Sequence, residues 1–170
     1  KIRIPRWIVV ISSSLSAVIN FLLNLVVVLV FMVINHVDLL QTSLFLPLLL
    51  LEVYLFALGL SLFLAAAFVK FRDLSYIWEV VIQAAFYLTP IIYPLSLITN
   101  ETFQKLLLLN PMAQAIQDAR YSVVTHQTIT AHHVFAGGWL ALVPFVIVVT
   151  MVVVGVWYFK KEAKHFAENI

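Results

Sequence analysis

The sequence predicts an all-α integral membrane fold with four membrane-crossing segments, one broken by prolines, and an external re-entrant helical hairpin. Three observations carry the prediction. Apolar residues make up 64% of the 170 and charged residues only 11%, whereas a soluble domain is about half apolar and a quarter charged. The apolar residues gather into long runs whose ends carry most of the Lys and Arg side chains. One run, FYLTPIIYP from Phe86 to Pro94, holds two prolines four residues apart, each removing a backbone donor and obstructing a helix.

The runs give the elements in order. The first span covers about Ile8 to Ile34 and the second about Leu44 to Val69. The last covers about Trp139 to Phe159. Each exceeds the roughly 20 residues that cross the hydrocarbon. The chain begins with Lys, so a processed or longer protein is expected. Its basic start and Ser14-Leu15-Ser16-Ala17 resemble a cleavable leader, but the apolar run continues to Ile34, so a retained span is expected.

Charge sets the orientation. Lys1, Arg3 and Arg6 precede the first span, Lys70 and Arg72 follow the second, and Lys160, Lys161 and Lys164 follow the last. Only Lys105 and Arg120 fall elsewhere. The eight are expected in the cytoplasm, with both ends of the chain. Trp7 and Trp157 then sit at the inner interface and Trp139 at the outer one.

That arrangement closes only if the segment from Leu74 to Ile98 also crosses. Leu74 to Thr89 gives about 24 Å of helix, short of the roughly 30 Å core. Pro90 ends the helix there. Ile91 to Ile98 is expected to finish the crossing as irregular backbone covered by protein, because lipid cannot satisfy bare peptide groups. An external hairpin follows over about 99–125. Asn110-Pro111 reads as an N-cap with Pro at the first helical position. The helix from Pro111 to Val124 puts Met112, Ile116, Ala119 and Val123 on one face, with Gln114, Gln117, Asp118 and Tyr121 more polar. Gly137-Gly138 marks the junction before the last span.

Several chemistries are excluded or unsupported. There is no cysteine, hence no disulfide or thiolate metal site. No phosphate-binding loop, no H-E-x-x-H and no nucleic-acid-binding pattern occurs. His132-His133 are adjacent and lack a partner ligand, so no metal site is expected. Ser12, Ser13, Ser14 and Ser16 suit close helix packing. Glu52 and Glu79 are intramembrane acids and therefore functional candidates. Glu79 is near enough to the inner face to pair with Arg72. Glu52 lies deeper, facing a helix partner or a cavity, with no second acid or His expected at its depth. Tyr76, Trp78, Phe86, Tyr87 and Tyr93 suit either a passage for amphipathic or sugar-bearing cargo or interface anchoring and packing.

The combined pattern resembles the C-terminal portion of type-2 ABC exporter permeases. It consists of Phe71-Arg72-Asp73, Gln83, the run Phe86 to Pro94, Leu109-Asn110-Pro111 and Arg120. The similar branch is that of polysaccharide exporters carrying O-antigen, teichoic acid or capsule chains. The resemblance implies a six-span permease that pairs as a homodimer around a path for a lipid-linked glycan in the cytoplasmic membrane. It also implies a separate ABC ATPase subunit, which would hold ATP and Mg; this chain itself would bind no cofactor and would not be an enzyme. The four segments would be the third to sixth spans. The family's N-terminal amphipathic helix, first two spans and main coupling helix have no counterpart in these residues. Phe86, Tyr87, Pro90, Tyr93 and Pro94 would then form an outer gate on the translocation path. Phe71, Arg72 and Asp73 would contact the ATPase. Two other readings are an exporter of a drug, lipid or other small molecule, and a membrane scaffold that transports nothing.

Overall fold

A computed structural model describes residues 6–36, 41–71 and 73–163. The described residues are helical or irregular, without strands. Helix α1 spans Arg6–Ile34, α2 Leu46–Lys70, α3 Leu74–Leu88, α4 Glu101–Leu108, α5 Pro111–Val123, α6 Ala131–Val134 and α7 Val143–Glu162. Short 3-10 turns at Gln41–Phe45, Leu95–Leu97 and Trp139–Leu142 precede α2, α4 and α7.

Three stretches are long and apolar enough to cross a membrane: Trp7–Ile34, Thr42–Lys70 and Trp139–Glu162. They match the first, second and last predicted spans to within a few residues. The third predicted segment is a helix of 15 residues that stops at Leu88, as the prolines require. Arg72 and the terminal Lys1, Arg3 and Lys164 lie outside the described residues.

The centre of the molecule is the pair α2 and α7. Lipid is as apolar as leucine, so close packing rather than water expulsion must join membrane helices, and small residues permit it. Gly59 and Gly155 meet here. A Cβ on Gly155 would lie 2.1 Å from the Gly59 carbonyl oxygen, and one on Gly59 would lie 2.8 Å from the Val152 Cα. Around this contact Leu62, Ala66 and Phe159 form a buried cluster. Pro47 and Pro144 open α2 and α7 within the first turn, and Lys70 and Lys160-Lys161 close them, cations at the negative end of each helix dipole. Lys70 Nζ also pairs with Glu162 at 3.7 Å.

By contrast α1 and α3 present wide unpacked faces. No residue of the apolar window of α1 is buried, and α3 buries none at all. The serines expected to pack α1 closely do so at one point, where Ser14 Oγ lies 3.4 Å from the Tyr54 hydroxyl.

The short elements between α3 and α7 form a second core. Leu95, Leu107, Leu108, Ala131 and Phe135 bury one another, joining the turn after the prolines to α4 and α6. Asn100 caps α4, accepting from the Thr102 and Phe103 amides at 2.9 and 3.3 Å. Gly137 takes φ +68°, a left-handed conformation natural to glycine, in the bend toward α7.

The structure corrects the polarity of α5. Its apolar residues Met112, Ile116, Ala119 and Val123 are only half-buried. The buried face carries Gln114, Gln117 and Ser122 beside Ala113 and Ala115. This face packs on α2 and on the broken end of α3, where Gln117 meets the Pro90 carbonyl, while Gln114 donates to Asp118 on α5 itself.

A candidate gate built from broken backbone

The predicted gate residues surround the point where α3 ends. Most of the carbonyls around the break can be followed to a donor. The Thr89 amide and hydroxyl both donate to the Ala85 carbonyl, at 2.9 and 2.8 Å. The Tyr93 hydroxyl lies 3.2 Å from the Tyr87 carbonyl and 3.4 Å from that of Leu88. The Ile91 amide donates to the Thr89 carbonyl at 2.7 Å. Two donors come from α5: Gln117 Nε2, 3.5 Å from the Pro90 carbonyl, and Arg120 Nη2, bonded to the Ile91 carbonyl. Protein groups therefore meet the carbonyls of Thr89, Pro90 and Ile91. Thr89 and Pro90 are buried.

Asn110 caps α5 by accepting from the Met112 amide at 3.0 Å. Its amide nitrogen also reaches to 3.5 Å from the Thr89 hydroxyl. One side chain thus starts α5 and holds it to the end of α3. At the other end of α5, Thr42 Oγ1 and Ser43 Oγ donate to the Ser122 carbonyl at 3.0 and 3.1 Å. The helix that carries the gate contacts is fixed to the entry of α2.

The predicted site residues do not share one role. Tyr93 and Pro90 belong to the break itself. Phe86 and Tyr87 are exposed on α3, edge to face with ring centroids 5.7 Å apart. Together with Trp78, Glu79, Ile82 and Gln83 they line an open groove of about 510 Å³. Pro94 is exposed beside a second, more polar hollow of about 320 Å³ that Gln117 and Arg120 also line. Phe71 and Asp73 are exposed in the short link between α2 and α3. Arg72, proposed as their companion and as the partner of Glu79, lies outside the described residues.

Glu52 departs from expectation. It is 7% exposed, and neither carboxylate oxygen has a hydrogen-bond partner. A second acid does approach it: Asp118 of α5 lies beside Glu52, and Gln114 donates to Asp118 Oδ2 at 2.5 Å. Burial pushes the Asp118 carboxyl above the ordinary aspartate range; the Gln114 bond and nearby His132 and His133 oppose this. Asp118 and Gln114 lie more than 60 positions along the chain from Glu52, so linear spacing could not reveal the cluster. The signal that could have found it is polar residues at positions 114, 117 and 118, one turn apart on a helix whose apolar face is weak.

His133 Nδ1 lies 2.9 Å from the Thr130 hydroxyl, and His126 stacks on Tyr121 at 4.6 Å. Among the described residues no group of three His, Cys, Asp or Glu side chains could hold a metal ion.

Residues 2–124 match the family described as ABC-2 type transporter. The chain is also similar to the O-antigen export system permease protein RfbA of Myxococcus xanthus, with 31% identity over 176 aligned positions. That alignment covers all of this chain and 63% of the relative. With membrane-capable helices, a proline-broken third segment and a family match over most of its length, this chain belongs to the ABC-2 type transporter membrane family.

Proposed function

We propose that the chain is part of a permease subunit of an ATP-driven exporter that moves lipid-linked polysaccharide across the cytoplasmic membrane. The observation that carries the reading is the exposed face of α3. Trp78, Phe86 and Tyr87 offer ring faces there, while Glu79 and Gln83 offer hydrogen-bonding groups. A sugar chain presents C–H faces and hydroxyl edges, and this alternation of rings and polar tips complements it. The similarity to an O-antigen export permease supports the same cargo class.

In this reading α3 and the break after it make the third of the chain's four crossings, and α4 and α5 form a re-entrant hairpin at the outer side. A second copy of the permease faces α3 across the path. A separate ATPase subunit binds ATP and Mg and meets the cytoplasmic link at Phe71, Arg72 and Asp73. Nucleotide-driven closure of the ATPase tilts the permease halves, and the break opens and shuts the outer end. The chain does no covalent chemistry.

The test replaces Trp78, Phe86 and Tyr87 with leucine in the full-length permease and measures export of glycan and of a lipophilic drug. Glycan export should fall roughly tenfold or more, the equivalent of about 1.4 kcal/mol in the limiting barrier, with drug efflux unaffected. Unchanged glycan export with lost drug efflux would point to a small-molecule exporter. Export unaffected by a Pro90→Ala, Pro94→Ala double change, with assembly intact, would leave only a scaffold.

A further inference from the structure

The Glu52 cluster is rich in hydrogen-bond acceptors. Both Glu52 oxygens and the Gln114 Oε1 are buried and unpartnered. Gln114 is completely buried, and its amide nitrogen donates to Asp118 Oδ2. Leaving a buried polar atom unpaired is costly, and more so when it is charged. Two unpartnered Glu52 oxygens beside a further carboxyl group leave room for an added donor.

The space for one is present. Glu52 and Asp118 line a cavity of about 300 Å³ between the start of α2, the end of α5 and the start of α7. Neither Lys nor Arg borders it; Arg120, on the same helix as Asp118, is bonded to the Ile91 carbonyl. His132 is the one lining group that can carry positive charge, and its ring is exposed. The remaining wall is largely apolar and aromatic, with Phe45, Leu48, Tyr121 and Phe145.

We propose that this cavity binds a primary ammonium group. An ammonium brings three N–H donors for the unpartnered Glu52 oxygens and for Asp118, and a positive charge beside the two carboxyl groups. Tyr121 and the two phenylalanines suit a cation over aromatic faces. A metal ion fits less well, since no three-ligand cluster exists among the described residues. Two sources offer the same chemistry at the outer end of the helices: the ethanolamine headgroup of a membrane lipid, and the free amine of an amino sugar. The site stands on its own geometry and does not rest on the cargo assigned above.

The experiment uses the full-length protein in the complex it forms in its own membrane, reconstituted in nanodiscs. Thermal unfolding is followed with ethanolamine, glucosamine, ethanol or glucose in solution, and with phosphatidylethanolamine or phosphatidylcholine as the lipid. An amine should raise the midpoint at concentrations where its neutral analogue does not. A response to phosphatidylethanolamine and ethanolamine assigns the lipid source, and a response to glucosamine assigns the sugar source. Glu52→Gln keeps the shape and removes the charge, so the apparent amine affinity should drop at least tenfold; Asp118→Asn should weaken it as well. The proposal is overturned if no amine exceeds its neutral analogue, or if Glu52→Gln binds amines as tightly as the parent. It is equally overturned if Glu52→Gln raises the midpoint and the parent shows no amine response, because Glu52 then holds a proton and nothing else.

Discussion

Replacing Arg120 with alanine tests whether α5 holds the break shut. The guanidinium donates to the Ile91 carbonyl, and a hydrogen bond from a charged donor contributes about 1.5–3 kcal/mol. Ile91 is 38% exposed, so water can replace part of the lost bond and the low end applies. An opening equilibrium shifted by about 1.5 kcal/mol changes roughly tenfold. Gln117 is the internal comparison. Its contact with the Pro90 carbonyl is neutral and long, at 3.5 Å, so Gln117→Ala should shift the equilibrium by roughly twofold or less. Leu95, just after the break, is 1% exposed, and these 170 residues contain no cysteine. A Leu95→Cys variant therefore reports local opening through its maleimide labelling rate, provided closing outpaces labelling. Arg120→Ala should label roughly tenfold faster than the Leu95→Cys parent. If it labels no faster than Gln117→Ala, the guanidinium does not hold the break and the carbonyl accounting above is wrong.

Two further outcomes follow from the packing and the charges. Gly155→Ala places a methyl 2.1 Å from the Gly59 carbonyl oxygen, so α2 and α7 must separate; overpacking of this kind costs about 1–3 kcal/mol, and a lowered unfolding midpoint in detergent, with no change for the lipid-facing Val153→Ala, checks it. Asp118 binds its proton more tightly folded than unfolded, so stability should fall as pH rises from the ordinary aspartate value through the raised one; Asp118→Asn should flatten that slope, with Glu52, His132 and His133 left in place, and a slope unchanged in the variant would assign it to those neighbours.

Much of the fold was legible because bilayer-crossing helices are a matter of length and composition. The first, second and last spans needed only long apolar runs with charged ends. The stop at Leu88 followed from the chemistry of Pro90, and the start of α5 from Asn110-Pro111, whose cap is seen at 3.0 Å. What sequence reasoning missed depends on contacts between distant residues. Glycines at 59 and 155 carry no sign that they face each other. The periodicity of α5 gave a polar and an apolar face, but could not tell that lone carbonyls at Pro90 and Ile91 would make the polar face the buried one. Nor did linear spacing show that the Tyr93 hydroxyl would lie against the last carbonyls of α3. Asp118 came to Glu52 only through the packing of α5 on α2.

That packing suggests how motion in the membrane reaches the break. The α2–α7 pair is a tight unit, and α3 scarcely touches it, since α3 buries no residue. The connection runs through α5. Its last turn is tied to the entry of α2 by Thr42 and Ser43 on the Ser122 carbonyl, while Gln117, Arg120 and Asn110 grip the break. A tilt of α2 should therefore carry the break with it. Removing both hydroxyls, with Thr42→Val and Ser43→Ala, deletes two bonds to one carbonyl, together about 1–3 kcal/mol. The Ser122 carbonyl can turn to water, so the fold should survive. Export in the assembled complex should fall while ATP hydrolysis continues, and labelling of Leu95→Cys should lose its dependence on nucleotide. If the nucleotide dependence persists in full, the tie at Ser122 carries no motion, and the route must run along α3 from the cytoplasmic link instead.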